Sequence, residues 1–256
     1  MPANEVTRKK KLSDQRKVFW RSVIDKKYSN VKFIFVSEYF KNEFVTDICD
    51  GKQNFNYEVI HNYIDSELFE FHEKRPEDAF KVLSIRPFSS LTYANDLTVK
   101  AIVELTKTPD FDKFQFTIVG DGDLFDGTVE PVKQFKNVTL RKEFLTQAQI
   151  AELHKEHGVF LVPTRMDTQG VSRGEAMSSG LVGVTTAVAA IPEFVSDNDG
   201  VVVDAEDYAA LSKALLQLTD SDVFVKLSRN GSERVKSQCS LKNTIKKELD
   251  LFVRNN

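Results

Sequence analysis

The sequence predicts an α/β fold, a Rossmann-like doubly wound parallel sheet accompanied by a partial N-terminal segment. Two observations lead there. Short β-branched and aromatic runs alternate along the chain with stretches of helical periodicity, and between residues 80 and 220 that alternation becomes regular. The runs are apolar on both faces, as in parallel strands, and such strands need helical crossovers that cover the sheet on both sides.

In chain order, residues 1–30 form a basic segment and a helix, with Arg8, Lys9, Lys10, Lys11, Arg16 and Lys17 and few acids nearby. Residues 31–36 are β-branched and aromatic, and Ser37 is suited to cap a helix that runs to about Ile48. A polar stretch, 50–56, separates this helix from a short strand at 57–60. Residues 61–79 are irregular, polar and interrupted by Pro76, so they read as an inter-domain linker. Strands then follow at 81–85, 114–119, 137–140, 158–162, 181–185 and 200–203, the second ending in a Gly120-Asp121-Gly122 turn. Helical faces lie between most of them: Leu97, Ala101, Ile102 and Leu105, then Ile150 and Leu153, then Tyr208, Leu211, Leu215 and Leu218. Residues 80–220 are therefore one Rossmann-like domain, and 221–256 are closing helices at roughly 221–238 and 240–253.

The bulk properties narrow the function classes. A net charge of −3 gives no sign of a nucleic-acid partner. No run of about 18 apolar residues is present, and the N-terminus lacks an apolar signal region. Cys49 and Cys239 have no metal-ligand spacing and fit a reduced, cytoplasmic setting. The basic residues 8–17 fit a solvated leader, or peripheral contact with anionic headgroups on the inner face of a membrane, where each basic side chain contributes about 1 kcal/mol.

One strand–helix junction concentrates the chemistry. A strand ends at Val162, a polar loop follows, and a helix begins near Gly170, in the stretch Asp167-Thr168-Gln169-Gly170-Val171-Ser172-Arg173-Gly174-Glu175-Ala176-Met177. In a doubly wound sheet, ligands bind beyond the carboxyl ends of the strands. The N–H groups of a first helical turn lack intrahelical partners, the dipole there favours anions, and a glycine lets a diphosphate approach. Asp167 and Glu175 bracket the site and can accept hydrogen bonds from sugar or ribose hydroxyls.

This stretch resembles the signature of the family-4 retaining glycosyltransferases of GT-B architecture, in which two acids are separated by seven residues and the second is followed by Ala-Met-x-x-Gly. Here Asp167 is followed, after seven residues, by Glu175-Ala176-Met177-Ser178-Ser179-Gly180. Ile191-Pro192-Glu193, Val119-Gly120-Asp121-Gly122, Ser84-Ile85-Arg86, His61-Asn62-Tyr63-Ile64-Asp65 and Val36-Ser37 resemble further family segments in the same order. The resemblance covers residues 31–253. It implies that 80–220 is the C-terminal, nucleotide-sugar-binding domain of a GT-B enzyme, 31–60 the tail of its N-terminal domain and 61–79 the hinge. It further implies that Glu175 binds ribose hydroxyls and Asp167 the donor sugar. Gly170 and Val171 amides would contact the diphosphate, Arg86 would neutralise the leaving phosphate, Gly120 would form part of the donor pocket and Phe144 would lie near the base. Arg86, Asp167 and Glu175 are thus the expected catalytic residues. No metal or other cofactor is implied, and the co-substrate is a nucleotide-sugar, with UDP preferred. The acceptor would be a polysaccharide, glycolipid or protein, recognised by an N-terminal half that this chain lacks or that a partner supplies.

The sequence also departs from that pattern. The first acid is aspartate where glutamate is usual, Tyr93-Ala94 stand where the family has a phosphate-binding lysine and a glycine, with Lys100 the nearest lysine, and Ala189-Ala190 replace paired glycines. A non-catalytic homologue that binds nucleotide or sugar and stabilises a partner enzyme is the alternative these departures support. A nucleotide-sugar epimerase of similar architecture fits the Glu175-Ala176-Met177 signature poorly. Asp121-Gly122-Asp123 reads as a turn before it reads as a metal motif, His154 and His157 as helix-end residues interacting with the dipole, and Phe19 and Trp20 as packing residues.

Overall fold

The computed structural model describes residues 14–24, 31–51 and 55–253. Arg8, Lys9, Lys10 and Lys11, and so most of the expected headgroup-contact segment, lie outside the described residues. Arg16 and Lys17 sit on the first described helix, α1 (Asp14–Ile24).

A small N-terminal unit comes first. It consists of α1, β1 (Lys32–Phe35), α2 (Glu38–Ile48) and β2 (Asn56–Val59), with β1 and β2 paired in parallel from Lys32↔Asn56 to Phe35↔Val59. Ser37 caps α2 as expected, its hydroxyl accepting from the Phe40 N–H. Five rings fill the interior, Trp20, Phe33, Phe35, Phe44 and Phe55, in edge-on, tilted and stacked pairs at 5.2–6.4 Å. Such pairs add to burial because ring edges and faces carry opposite partial charge. Trp20 is thus a packing residue, with the exposed Phe19 edge-on against it at 5.4 Å.

The main unit alternates strand and helix: β3 (Lys81–Ile85), α3 (Asn95–Leu105), β4 (Gln115–Gly120), α4 (Phe125–Val129), β5 (Val138–Lys142), α5 (Gln147–Glu156), β6 (Val159–Leu161), α6 (Val171–Ser178), β7 (Val182–Thr186), α7 (Ile191–Phe194), β8 (Val201–Val203), α8 (Tyr208–Gln217), α9 (Ser221–Cys239) and α10 (Ile245–Val253). The sheet order is β5-β4-β3-β6-β7-β8, every pair parallel. Successive strand residues serve opposite layers, which is why the runs are apolar throughout. Val82, Phe116 and Ile118 pack with Leu97, Ile102, Leu211 and Leu215 of α3 and α8. Leu83, Val119 and Phe160 pack on the other face with Ala176 and Leu181. Each such Leu or Phe contributes about 1.5–3 kcal/mol by leaving water.

The segment expected as a linker is docked on the main unit. It carries no regular element before a 3-10 turn at Pro76–Phe80, but Ile64 and Phe69 are buried, the Ile64 N–H donates to the Cys239 carbonyl at 3.0 Å, and the Ser178 hydroxyl donates to the Phe69 carbonyl at 2.8 Å. Two apolar anchors in a polar stretch suffice to strap it onto α6 and α9. The closing region also differs in detail: α9 is followed by a 3-10 turn at Leu241–Asn243, and α10 starts only at Ile245. The two units are joined at Glu193 of α7, whose carboxylate oxygens accept from the Glu38 and Tyr39 N–H groups at 2.8 and 2.6 Å, satisfying free donors of the α2 N-terminus. No helix among the described residues is long and apolar enough to cross a membrane.

Candidate functional site

The sheet order reverses at β3, which pairs with β4 on one side and β6 on the other. Crossovers leave in opposite directions there, so a crevice opens beyond the carboxyl ends of β3 and β6. Arg86 follows β3 directly, and the loop that leads from β6 to α6 carries Asp167 and Gly170. Sequence-distant residues thus share one crevice.

Gly170 precedes α6 with φ 80° and ψ 54°, a left-handed conformation that favours glycine, and a Cβ there would lie 2.7 Å from Arg173 Nη1. The first intrahelical bond runs from the Gly174 N–H to the Gly170 carbonyl at 3.0 Å. The Val171, Ser172 and Arg173 N–H groups therefore point outward without helical acceptors. Asp167 Oδ1 accepts from the Gln169 and Gly170 N–H groups at 3.0 and 2.7 Å, and Oδ2 stands 3.9 Å from Arg86 Nη2. The Gly170 amide is thus held by Asp167, and the amide beyond it, that of the exposed Val171, faces the crevice. Arg86 is 9% exposed; the Tyr93 ring lies 5.5 Å from its guanidinium carbon, and its buried Nε has no acceptor. Tyr93 accordingly packs on Arg86, while Lys100 is held on α3 by Asp96 at 3.1 Å.

Glu175 lies farther along α6, half-buried, and among the described residues its carboxylate has no hydrogen-bonding or ionic partner. Burial alone pushes its pKa up to about 7. Gly120 ends β4 against Arg86, where a Cβ would fall 1.9 Å from the Arg86 carbonyl oxygen; only a glycine allows that approach. Phe144 stands apart: it is 77% exposed in the loop after the outermost strand β5, and no described contact joins it to Arg86, Asp167 or Gly170.

Three residues that the sequence did not single out hold this arrangement. Arg165 forks onto Asp96 at 2.7 and 3.0 Å and Glu206 at 2.6 and 2.8 Å, and donates to the Leu91 carbonyl at 2.7 Å. This clamp sets the segment around Tyr93 beside the β6–α6 loop, and its hydrogen bonds to Asp96 and then Glu206 raise the Arg165 pKa. Gln169 pairs through its amide with both the N–H and the carbonyl of Asn62, at 2.7 and 3.0 Å, tying the 61–79 segment to the same loop. Arg173, 2% exposed, donates from Nη2 to the Gln169 carbonyl at 2.7 Å.

The remaining titratable motifs resolve into structure. Asp121 Oδ1 accepts from the Gly122 N–H at 2.8 Å, a local turn. His157 bonds the Leu153 carbonyl of the last turn of α5 and the Thr117 hydroxyl, at 2.7 and 3.0 Å. For His154 the helix-end expectation needs correction: the ring is buried against Phe69 and Phe160, and burial lowers its pKa to about 3. Buried Lys74 instead meets that helix end, donating to the His154 carbonyl at 2.6 Å.

A model of the family described as glycosyl transferases group 1 matches residues 82–221, more than half of the chain. The chain belongs to the group 1 glycosyl transferases. Its fold is that of several solved structures. A glycosyltransferase from Rickettsia africae superposes with a TM-score of 0.76 at 14% identity, covering 94% of this chain and 67% of that one. Sucrose-phosphate synthase from Thermosynechococcus elongatus gives 0.76 at 16%, covering 94% and 62%. S. aureus TarM, solved with fondaparinux, alpha-GlcNAc-glycerol and UDP, gives 0.74 at 18%, covering 93% and 46%. The chain thus spans under two thirds of the length of two of these structures. A sequence search of curated proteins gives no match.

Proposed function

We propose that this chain is the nucleotide-sugar-binding module of a retaining, metal-independent glycosyltransferase. The donor's diphosphate sits on the first turn of α6 and its sugar lies beside Asp167. The observation that carries this reading is the junction itself: outward N–H groups at Val171 and Ser172, with Asp167 and the Arg86 guanidinium 3.9 Å apart, at the point where the strand order reverses. Charge builds on the leaving diphosphate as the glycosidic bond breaks, and pre-set amides and a cation stabilise such charge without a metal ion. Arg86 neutralises the leaving phosphate, Glu175 accepts from ribose hydroxyls, Gly120 admits the ligand beside Arg86, and Phe144 approaches the base from its loop. UDP is the preferred nucleotide, in keeping with the UDP bound to TarM. The acceptor is a polysaccharide, glycolipid or protein, recognised by an N-terminal acceptor half in a cytoplasmic setting.

Titrating UDP-, GDP- and TDP-sugars by thermal shift on the wild type and on Glu175→Ala tests the reading, since a ligand that binds the native state raises Tm by mass action. A shift with one nucleotide class, abolished by Glu175→Ala, is expected. No shift with any donor removes the donor-site reading. A non-catalytic, nucleotide-binding role is supported by Tyr93, an uncharged ring packed on Arg86. It predicts that binding is kept while no sugar is transferred when an N-terminal half is supplied.

A further inference from the structure

The Arg173 side chain is unusual for a helix residue facing a sheet. It is 2% exposed, its Nε has no acceptor, and among the described residues no carboxylate lies within ion-pair distance of it. An arginine is rarely buried without a paired charge, because desolvation of the cation is expensive. The fold nevertheless makes room for it at two places. A Cβ on Gly183 of β7 would lie 3.2 Å from Arg173 Cγ, and one on Gly170 would lie 2.7–2.9 Å from the guanidinium. Two glycines thus give passage to the stem and the head of one side chain, which folds back toward the start of its own helix and bonds the Gln169 carbonyl.

That places a full positive charge beside Gly170 and the Gln169 carbonyl, at the N-terminal end of α6, where the helix dipole already contributes about half a charge. Arg86, also buried with an orphan Nε, stands 3.9 Å from Asp167. Two guanidinium groups and one carboxylate leave this cluster net cationic. Burial lowers the Arg173 pKa only to about 10, so the cation persists at neutral pH.

Building on the donor-site reading above, we propose that Arg173 is an electrostatic positioning residue: a buried cation beneath the first turn of α6 that attracts the diphosphate of the ligand through the helix backbone without touching it. It does so in a chain whose residue 93, beside Arg86, is an uncharged tyrosine. Asp167, the carboxylate whose field acts on Arg173, also faces Arg86, so the two cations share one counter-charge and the ligand's diphosphate supplies the rest. A phosphate-free nucleoside would feel no such attraction.

The test compares UDP with uridine on the wild type, Arg173→Met and Arg173→Lys, with Kd from ligand-observed NMR and calorimetry. Arg173→Met keeps a stem of similar bulk between the two glycines. It is expected to weaken UDP by about tenfold or more, the equivalent of ~1.4 kcal/mol, while uridine changes less than about twofold, and Arg173→Lys is expected to recover most of the UDP affinity. Should Arg173→Met not fold, Arg173→Gln removes the charge while keeping a donor for the Gln169 carbonyl. Equal weakening of UDP and uridine, or unchanged UDP binding, overturns the proposal, the first outcome assigning Arg173 a purely structural role. Where the wild type binds GDP or TDP in place of UDP, the same comparison is made with that diphosphate and its nucleoside; failure of the wild type to bind any of the three overturns the donor-site reading and this inference together, and is distinguished from the other outcomes by being present before any substitution.

Discussion

Removing the charge of Glu175 while keeping its shape, in Glu175→Gln, should stabilise the protein and impair ligand binding at the same time. The carboxyl is half-buried without a partner, and its pKa is raised from 4.5 to about 7 by burial. Between those two pH values the folded state binds more protons than the unfolded one, so ionisation destabilises the fold progressively as pH rises through the window and fully above it. At about 1.4 kcal/mol per pH unit the full penalty is about 3 kcal/mol. Partial solvent contact reduces it to about 1.5 kcal/mol. Urea denaturation of wild type and Glu175→Gln from pH 4 to 8.5 should therefore give coincident stabilities at the acid end and a gain of about 1.5 kcal/mol for the variant at pH 8. UDP titrations on the same samples should show wild-type affinity rising with pH toward 8, as the ribose-binding carboxylate forms, and weaker, pH-independent binding by the variant. A gain of equal size at every pH would show that packing and not charge is responsible. Wild-type affinity in Glu175→Gln at pH 8 would refute the ribose role.

Other consequences are equally direct. Arg165→Met leaves Glu206 without its cation and Asp96 with Lys100 alone, and because both carboxylates reach solvent a loss of about 1–2 kcal/mol in urea denaturation is expected, together with weaker UDP binding as the segment around Tyr93 is released. Ala189 holds φ 49°, where a non-glycine residue is strained; Ala189→Gly should gain about 0.5–1 kcal/mol, read as a higher Tm, and an unchanged or lower Tm would refute the strain. His154 has its pKa lowered from 6.5 to about 3, so the unfolded state binds more protons below pH 6.5 and stability falls as the pH drops. From pH 7 to 5 its contribution amounts to about 2 kcal/mol, and urea midpoints for His154→Gln should be correspondingly less acid-sensitive than for the wild type.

The strands, their order of appearance and the β6–α6 junction were legible because each rests on local pattern: apolar runs, a glycine where a helix starts, acids at its first turns. Arg86 was legible as the residue following a strand. Arg165, Gln169 and Arg173 were not, because what makes them important lies far away in sequence, at Asp96 and Glu206, at Asn62 and at Gly183. A basic or amide residue in a loop carries no local mark of the partner it will meet. The substitutions at Ala94 and Ala189 were visible as departures from a glycine pattern, yet their meaning came from conformation: both adopt left-handed φ values, 51° and 49°. The docking of the linker onto α6 and α9 was not legible because Ile64 and Phe69 are isolated in a polar stretch, too sparse to form a periodic face. His154 was misread because its burial depends on Phe69 from that same strap.

The ladder between β3 and β6 has a consequence for how the chain assembles. Its register holds only Val82↔Val159 and Leu83↔Phe160, whereas β3 and β4 are matched along the whole of β3. The first three strands of the sheet can therefore zip together from neighbouring sequence, while their junction with the last three must wait for a long loop to close around a short line of hydrogen bonds. Arg86 belongs to the early half and Asp167 to the late one. Hydrogen exchange should find this line among the first parts of the sheet to open, and a molecule bound across it would act as a rivet, closing the last step of folding with the same contacts that recognise it.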